Sequence, residues 1–146
     1  MEILQAGGVS VGRGTDTPFE LLGAPWINGV QLAEFLNKRF VPGVRFVPVR
    51  FTPRDGLHKG VACEGVSLVI NDRTALHSML MGLELAQALW KLYPLQFDID
   101  KTITLIGNAD TVARLKKGDN PAWIVSDWTD ELNAFRELRE KYLLYK

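Results

Sequence analysis

The chain has 146 residues, of which 47% are hydrophobic and 23% are charged. That size and composition are typical of one globular domain, large enough to bury its own core. Lys plus Arg and Asp plus Glu each number 17, so the formal net charge is zero. Neutrality disfavours nucleic-acid binding through phosphate neutralisation, because proteins of that class are usually basic.

Cysteine and histidine are scarce, which disfavours disulfide-bonded and metal-binding proteins. Cys63 is the only cysteine and therefore has no internal disulfide partner. With two histidines besides, the sequence predicts no metal site and no cofactor. No apolar run has the length of a membrane span, and residues 1–5 lack the basic and apolar regions of a signal peptide. The compartment is left open.

Charge is distributed unevenly along the chain. Residues 1–37 carry four acids and one base, residues 38–59 carry six bases and one acid, and residues 60–146 carry twelve acids and ten bases. A basic belt of net charge +5 therefore lies within a neutral protein. The belt fits either a solvated strand face or a site for an anion such as a carboxylate.

The first predicted elements are a strand edge and a helix. A short alternating stretch at residues 7–12 predicts the strand edge, and glycine, threonine and proline residues after it predict a loop. Asn28 and Gln31 form a capping pair at the start of an apolar helical pattern. We therefore predict a helix near residues 29–39.

Two strands and the longest helix follow. Residues 44–51 are β-branched and aromatic, but Pro48 has no amide hydrogen, so we predict an edge strand. Residues 61–70 alternate as in a half-buried strand. A broad apolar stripe at residues 74–91 predicts the central core helix, within which we interpret His77 as structural.

The last third of the chain predicts one strand and three helical segments. Residues 102–106 have the β-branched composition of a strand. Asn108 predicts a cap for a short helix at 109–117, and Asn120 predicts a cap for another short turn. Residues 130–142 predict an amphipathic C-terminal helix, and the apolar residues 143–145 that follow it must pack somewhere. The prediction is one α+β domain with a small mixed or antiparallel sheet, packed by the long central helix and the C-terminal helix.

One loop stands out as a candidate site. Gly12 and Gly14 flank Arg13, so the backbone can approach a ligand closely while the guanidinium fork binds a carboxylate or phosphate. The spacing matches neither the dinucleotide fingerprint nor the Walker pattern. Alternatively, the loop is a tight turn in which Arg13 pairs with Asp16 or Glu20.

A second loop, residues 54–60, offers further cations. Arg54, His58 and Lys59 could hold an anionic substrate, and His58 could transfer protons near neutral pH. An exposed hairpin connection is the alternative interpretation. We interpret the neighbouring Cys63 as a small buried side chain, not as a nucleophile.

The four tryptophans suggest stacking against the apolar face of a sugar ring. Trp90 and Trp128 lie on predicted core faces, whereas Trp26 and Trp123 are less constrained. Paired catalytic carboxylates cannot be assigned, because the candidates lie in loops whose separation the sequence does not fix.

Residues 9–20, VSVGRGTDTPFE, followed by GAPWI at 23–27, resemble the signature that opens the C-terminal domain of NamZ-like exo-β-N-acetylmuramidases. These are glycoside hydrolases formerly known as a domain of unknown function. Shorter matches keep the family's order at residues 42–44, 51–53, 63–66, 72–73, 82–83, 92–94 and 139–145. One departure precedes the signature, where the family usually has Glu-Gly-Thr-Asn and this chain has QAGG at residues 5–8.

The resemblance implies a two-domain parent that removes N-acetylmuramic acid from the non-reducing end of peptidoglycan fragments at the cell envelope. It also implies that the Rossmann-like N-terminal domain, which is thought to supply the catalytic carboxylate, is absent from residues 1–146. The chain would then be an accessory domain with little activity alone. Its expected partners are a muramic-acid-containing glycan and the missing domain.

The resemblance and the loop chemistry together give the candidate site. N-acetylmuramic acid carries a lactyl carboxylate, for which arginine and lysine are suitable partners. The candidate substrate-binding residues are Gly12, Arg13, Gly14, Thr15, Asp16, Glu20, Arg54 and Lys59. Glu20 and His58 are candidates for catalysis. A stand-alone module for muropeptides or another anionic glycan, and a structural interaction domain, are the alternatives.

Overall fold

Three strands form a small open sheet. In the computed structural model, which describes residues 1–145, β1 (Leu21–Ala24), β2 (Val44–Phe51) and β3 (Cys63–Ile70) are antiparallel in the order β1-β3-β2. Pro48 therefore lies in an edge strand as predicted, where a missing amide hydrogen is tolerated. The predicted strand edge at 7–12 is reduced to one bridge, between Ser10 and Gly23.

Helices make up most of the rest. They are α1 (Glu2–Gln5), α2 (Gly29–Asn37), α3 (Ser78–Leu92), α4 (Ile103–Ile106), α5 (Ala109–Lys117), α6 (Pro121–Asp127) and α7 (Thr129–Glu140). Helix α2 packs on β2 and β3, and α3 packs against α1, α2, α5 and α6. Residues 81–89 of α3 are all buried, which confirms the prediction of a long central helix in an α+β domain.

Asparagine caps fix three helix starts at the predicted places. The Oδ1 atom of Asn28 accepts a hydrogen bond from the backbone N–H of Gln31 at 3.0 Å. The Oδ1 atom of Asn108 likewise accepts from the Thr111 amide of α5 at 3.0 Å, and that of Asn120 accepts from the Ala122 amide of α6 at 2.9 Å. Each cap satisfies one of the amides that a helix leaves free in its first turn.

The start of α3 differs from the prediction by four residues. Asp72 accepts hydrogen bonds from the backbone N–H groups of Thr74 and Ala75, at 2.9 and 3.1 Å, and so closes a turn before the helix. The hydrogen bond from the Thr74 hydroxyl, together with these two backbone hydrogen bonds, holds the pKa of Asp72 below its ordinary value. His77 is the true N-cap, because its Nδ1 atom accepts from the Leu80 amide at 3.2 Å.

The predicted strand at residues 102–106 is wrong. The chain forms a 3-10 turn at Ile99–Thr102 and then α4. The buried Thr102 hydroxyl donates to the Ile99 carbonyl at 2.6 Å, and Gly107, with φ at 73°, ends α4 in the left-handed conformation. Local hydrogen bonds and burial of Ile99 therefore outweigh the β-branched composition.

The C-terminal helix is present, but its apolar face is not covered. Helix α7 packs against α6, and none of its residues, all of which the structure describes, is buried. The predicted C-terminal helix is therefore confirmed, and its apolar face lies uncovered within residues 1–145. The sequence pattern correctly gave an amphipathic helix and did not say what lies against it.

A close backbone approach brings α2 onto the sheet. A Cβ atom at Gly65 would overlap the carbonyl oxygen of Leu22, and one at Gly29 would lie 2.5 Å from the Gly65 carbonyl oxygen. Only glycine fits at such contacts. The start of α2 is thereby held directly beside the start of β3, where the main cavity described below opens.

A buried ion pair ties the end of α2 to α3. Arg39 donates to both carboxylate oxygens of Glu84, at 2.8 and 3.0 Å, and Glu84 is only 4% exposed. The hydrogen bonds that Arg39 donates to Glu84 raise the pKa of Arg39 above its ordinary value. Because an unpaired buried carboxylate is costly, this pair fixes the relative position of the two helices.

Candidate functional site

The glycine-flanked loop at residues 12–20 is a tight turn. Gly12 and Gly14 have φ values of 79° and 78°, a region that other residues rarely adopt. The Thr15 hydroxyl donates to the Gly12 carbonyl at 2.6 Å, and the Phe19 amide donates to the Val11 carbonyl at 2.8 Å. The loop is therefore held by its own backbone and presents Arg13 at its tip.

Arg13 has a partner that the sequence did not suggest. Its Nη2 atom lies 3.0 and 3.2 Å from the two carboxylate oxygens of Glu2, and its guanidinium lies 4.9 Å from the centre of the Phe19 ring. About half of each charged side chain is exposed, so the pair contributes little to stability and can exchange for another anion. Neither Asp16 nor Glu20 is the partner.

The two predicted loops lie together. The Arg54 amide donates to the Gly14 carbonyl at 2.8 Å, and a Cβ atom at Gly14 would overlap the backbone of Asp55. The Arg54 and Asp16 side chains approach to 4.0 Å and are both highly exposed. Lys59 is exposed on the same second loop, where its amide donates to the Gly56 carbonyl.

The two candidates for catalysis occupy different settings. Glu20 is exposed, and its backbone carbonyl accepts from the Leu68 amide at 2.8 Å. His58 is half-buried, has a φ of 63°, and its Nε2 atom lies 3.0 Å from the Gly8 carbonyl oxygen. That contact ties the second loop to the N-terminal segment. A catalytic role for either residue stays a prediction.

A cavity of about 730 Å³ is lined by residues that flank these loops in the sequence. It is lined by residues 25–28 before and at the start of α2, residues 50–52 at the end of β2, and residues 62–64 at the start of β3. The chain leaves the cavity wall after Thr52, forms the second loop, and returns to the wall at Ala62. Its size is in the range of sites for small molecules.

Trp26 is held firmly in the wall of this cavity. Its ring centre lies 5.3 Å from that of Tyr93, at an interplanar angle of 58°. The Tyr93 hydroxyl accepts from the Asn28 amide at 3.0 Å and lies 3.2 Å from the Asn28 carbonyl oxygen, to which it donates. Burial raises the pKa of Tyr93, so the phenol keeps its proton and both hydrogen bonds.

Arg50 and Glu64 provide the charged part of the cavity. The Nε and Nη2 atoms of Arg50 lie 2.8 and 2.7 Å from the Glu64 Oε1 atom. The Oε2 atom of Glu64 accepts from the Gly29 amide, at 3.5 Å. Because the Arg50 side chain is 82% exposed and has five N–H donors, it keeps donors for a ligand.

Cys63 lines the cavity but is a poor nucleophile. The residue is 1% exposed, and its Sγ atom lies 3.5 Å from the Val61 carbonyl oxygen. Burial raises the pKa of the thiol, so little thiolate forms near neutral pH. The prediction of a buried side chain is confirmed.

The sequence singled out Trp26 for sugar stacking and Cys63 as a buried side chain, but it did not predict that these residues line one cavity. Trp26 belongs to the GAPWI match, Phe51 and Thr52 to the match at 51–53, and Cys63 and Glu64 to the match at 63–66. The signal that could have found the cavity is this convergence of three motifs. Within residues 1–145, His, Cys, Asp and Glu side chains form no cluster of three or more that could hold a metal ion.

A sequence model of the family described as "Exo-beta-N-acetylmuramidase NamZ, C-terminal" matches residues 1–145. The chain belongs to this family. It is 35% identical over 146 residues to the peptidoglycan β-N-acetylmuramidase NamZ of Bacillus subtilis (strain 168). That alignment covers 98% of this chain and 35% of the B. subtilis protein.

Two crystal structures of DUF1343 family proteins from Bacteroides fragilis NCTC 9343 are similar to this domain. One is 27% identical, has a TM-score of 0.72, and is matched over 99% of this chain and 40% of its own. The other is 21% identical, with a TM-score of 0.66, and matches over 99% and 38%; it supports the fold alone. The chain thus spans little more than a third of these relatives. None of the helices described within residues 1–145 has the length and apolar composition to cross a membrane.

Proposed function

We propose that this domain forms one wall of the substrate cleft of a peptidoglycan-acting exo-β-N-acetylmuramidase and has little activity without a further, N-terminal domain. The observation that carries the proposal is the 730 Å³ cavity, where three segments typical of the family meet around an aromatic ring and an ion pair. The parent would act at the cell envelope, where its substrate is found.

The chemistry of the cavity suits an amino sugar. The indole of Trp26 offers a flat apolar surface to the apolar face of a pyranose ring, and its contact with Tyr93 already orders it. A preordered ring loses little side-chain freedom on binding, which favours affinity. Polar groups of the sugar would meet Asn28, Thr52 and Glu64 at the cavity wall.

The lactyl carboxylate of N-acetylmuramic acid gives Arg50 a role in specificity. Glu64 engages the Nε and Nη2 atoms of Arg50 and so orients the guanidinium, whose remaining donors can bind the carboxylate. N-acetylglucosamine lacks the lactyl group and would not use this contact. Arg13, Arg54 and Lys59 on the neighbouring loops are proposed to contact anionic groups farther along the glycan.

Calorimetric titration of the chain with N-acetylmuramic acid and, separately, with N-acetylglucosamine tests the binding half of the proposal. We expect binding of N-acetylmuramic acid with a Kd of about 1 mM or below, weakened about tenfold by Trp26→Ala. Arg50→Gln should lower the affinity for N-acetylmuramic acid about fivefold without changing that for N-acetylglucosamine. Salt should weaken the Arg50 contribution.

Two control variants, each altered outside the cavity, test whether the sugar binds at the cavity. Trp123→Ala removes an exposed indole of α6 that is not at the cavity, and Arg13→Gln removes an arginine of the signature loop. Neither should change the affinity for the monosaccharide by more than about twofold. An absence of heat at millimolar sugar, or equal losses in Trp26→Ala and Trp123→Ala, contradicts binding at the cavity.

Hydrolysis of a chromogenic N-acetylmuramide tests the accessory half. We expect no turnover by the isolated chain above the uncatalysed rate, because the carboxylate that the family is thought to use lies in the other domain. Robust turnover that Glu20→Gln abolishes would contradict an accessory role. It would make Glu20 catalytic instead.

The same cavity also supports the second candidate, a stand-alone module that binds muropeptides or another anionic glycan. That function needs an affinity far better than millimolar for a muropeptide, from this chain alone and lowered by Arg13→Ala. If the chain binds the muropeptide no more tightly than the monosaccharide, the stand-alone function is excluded.

A further inference from the structure

The C-terminal helix carries a run of exposed large apolar side chains. Leu132, Phe135 and Leu138 recur at intervals of three residues along α7 and are 46%, 57% and 55% exposed. At 100° per residue these three positions lie within about one third of the helix circumference. None of the α7 side chains is buried, so this face contributes nothing to the described core.

The residues after α7 extend the same apolar surface. Leu143, Leu144 and Tyr145 follow directly and are also exposed, the last two to about 90%. We refer to the exposed apolar residues at 132, 135, 138 and 142–145 as the α7 face. Seven large apolar side chains so close in sequence are more than the scattered surface residues of a typical monomer.

Recesses at both ends of α7 would accept protruding side chains. One, of about 360 Å³, lies at the start of the helix and is lined by Met79, Ile106, Asn108, Trp128, Glu131 and Leu132. Another, of about 630 Å³, lies at its end and is lined by Glu137, Glu140, Lys141 and Leu143. A helix flanked by recesses is suited to a shaped protein surface.

The charges around the α7 face say what kind of surface fits. Residues 129–142 hold four acidic and three basic side chains, so the region has a net charge of −1. With so little net charge, affinity must come from apolar burial and depend weakly on salt. A charged glycan is therefore a poor occupant, and an apolar protein surface is a good one.

We propose that the α7 face is the docking surface for the domain that makes up the rest of the longer relatives. Those proteins match 98–99% of this chain, yet it covers only 35%, 40% and 38% of them. Their remaining residues, about 60–65% of each protein, are enough to form at least one further domain. The α7 face is the surface whose composition requires a cover. This inference rests on the part of the proposed function that gives the chain an N-terminal neighbour, and not on sugar binding.

The test uses the 146-residue chain and, as the probe, the purified part of the B. subtilis relative outside the matched segment. We expect a 1:1 complex in a sedimentation or calorimetric titration, with a Kd of about 10 µM or below. Phe135→Asp should weaken the complex at least about tenfold, because it places a charge in an apolar contact. Leu95→Asp is the matched control, since Leu95 is 93% exposed and lies outside the α7 face; it should change affinity by less than about twofold.

Every outcome decides the proposal. No complex at about 100 µM of both components, or equal binding by Phe135→Asp and the unaltered chain, overturns it. A homodimer of the chain that Phe135→Asp dissociates overturns it too, because a second copy is then the occupant. Phe135 is not buried, so the variant should fold, and circular dichroism checks this. Sugar titration of the same variant separates the proposals, because failure of docking leaves binding at the cavity unchanged.

Discussion

The cavity beside the sheet and the α7 face use apolar and aromatic residues in opposite ways. At the cavity, Trp26 is packed on Tyr93, and Leu22 in the neighbouring strand β1 is fully buried. On the α7 face, Phe135 and Leu138 are more than half exposed. The first region is finished within this chain, with a preordered opening for a small ligand. The second is an amphipathic helix whose apolar face residues 1–145 leave uncovered, so its apolar spacing gave the helix without giving its packing partner.

Truncating one leucine in each region tests the difference in packing between them and should give the largest effect. Leu22→Ala removes a side chain that is 0% exposed in β1 and should lower the free energy of unfolding by about 2–5 kcal/mol. Leu138→Ala removes a half-exposed side chain from α7 and should change it by less than about 0.5 kcal/mol. Urea denaturation followed by circular dichroism measures both.

The two leucine results must differ for the account to stand. A loss of several kcal/mol in Leu138→Ala would show that α7 packs into the core of the isolated chain. The α7 face would then be covered from within, and the docking proposal would lose its basis.

A pair of glycine variants tests whether the two site loops depend on each other. Gly14 and Gly60 both have positive φ, but a Cβ atom overlaps the Asp55 backbone at Gly14 and meets nothing within 4 Å at Gly60. Gly60→Ala should therefore cost only the conformational penalty, about 1 kcal/mol, and Gly14→Ala about 2–3 kcal/mol. Thermal unfolding measures the difference. Equal penalties would mean that the loops are not packed together.

The smallest expected effect concerns the thiol at the cavity wall. Because burial raises the pKa of Cys63, native protein should react with a thiol reagent at about pH 8 at least about tenfold more slowly than urea-unfolded protein. The raised pKa also means that the folded state holds its proton more tightly. The protonated thiol therefore makes its full contribution to the free energy of unfolding below the ordinary cysteine pKa. That contribution is lost as pH rises through the pKa of the thiol in the folded protein. Equal labelling rates in native and unfolded protein would contradict a buried thiol.

Local signals in the sequence predicted much of the fold. The Asn28 cap placed α2, and Pro48 placed β2 at the sheet edge, because both rules depend on hydrogen bonds made within a few residues. The strand predicted at 102–106 failed because β-branched composition reports burial as much as backbone preference. The early start predicted for α3 failed because Asp72 closes a turn with the same hydrogen bonds that would cap a helix.

The candidate site was predictable in part. The contact between the Gly14 loop and Arg54 joins the two loops that were singled out separately. The pairing of Arg13 with Glu2 could not be predicted from the sequence, because it depends on where the short helix α1 lies in the folded domain. The cavity was also beyond reach, since its walls come from three segments that only tertiary packing brings together.

The central claim, that the cavity binds the amino sugar, is tested most directly by NMR titration of the ¹⁵N-labelled chain with N-acetylmuramic acid. We predict that amide shifts centre on residues 26–28, 50–52 and 62–64, together with the indole N–H of Trp26, and that the α7 amides do not move. Shifts centred on α7, or no shifts at about 10 mM sugar, would contradict the account.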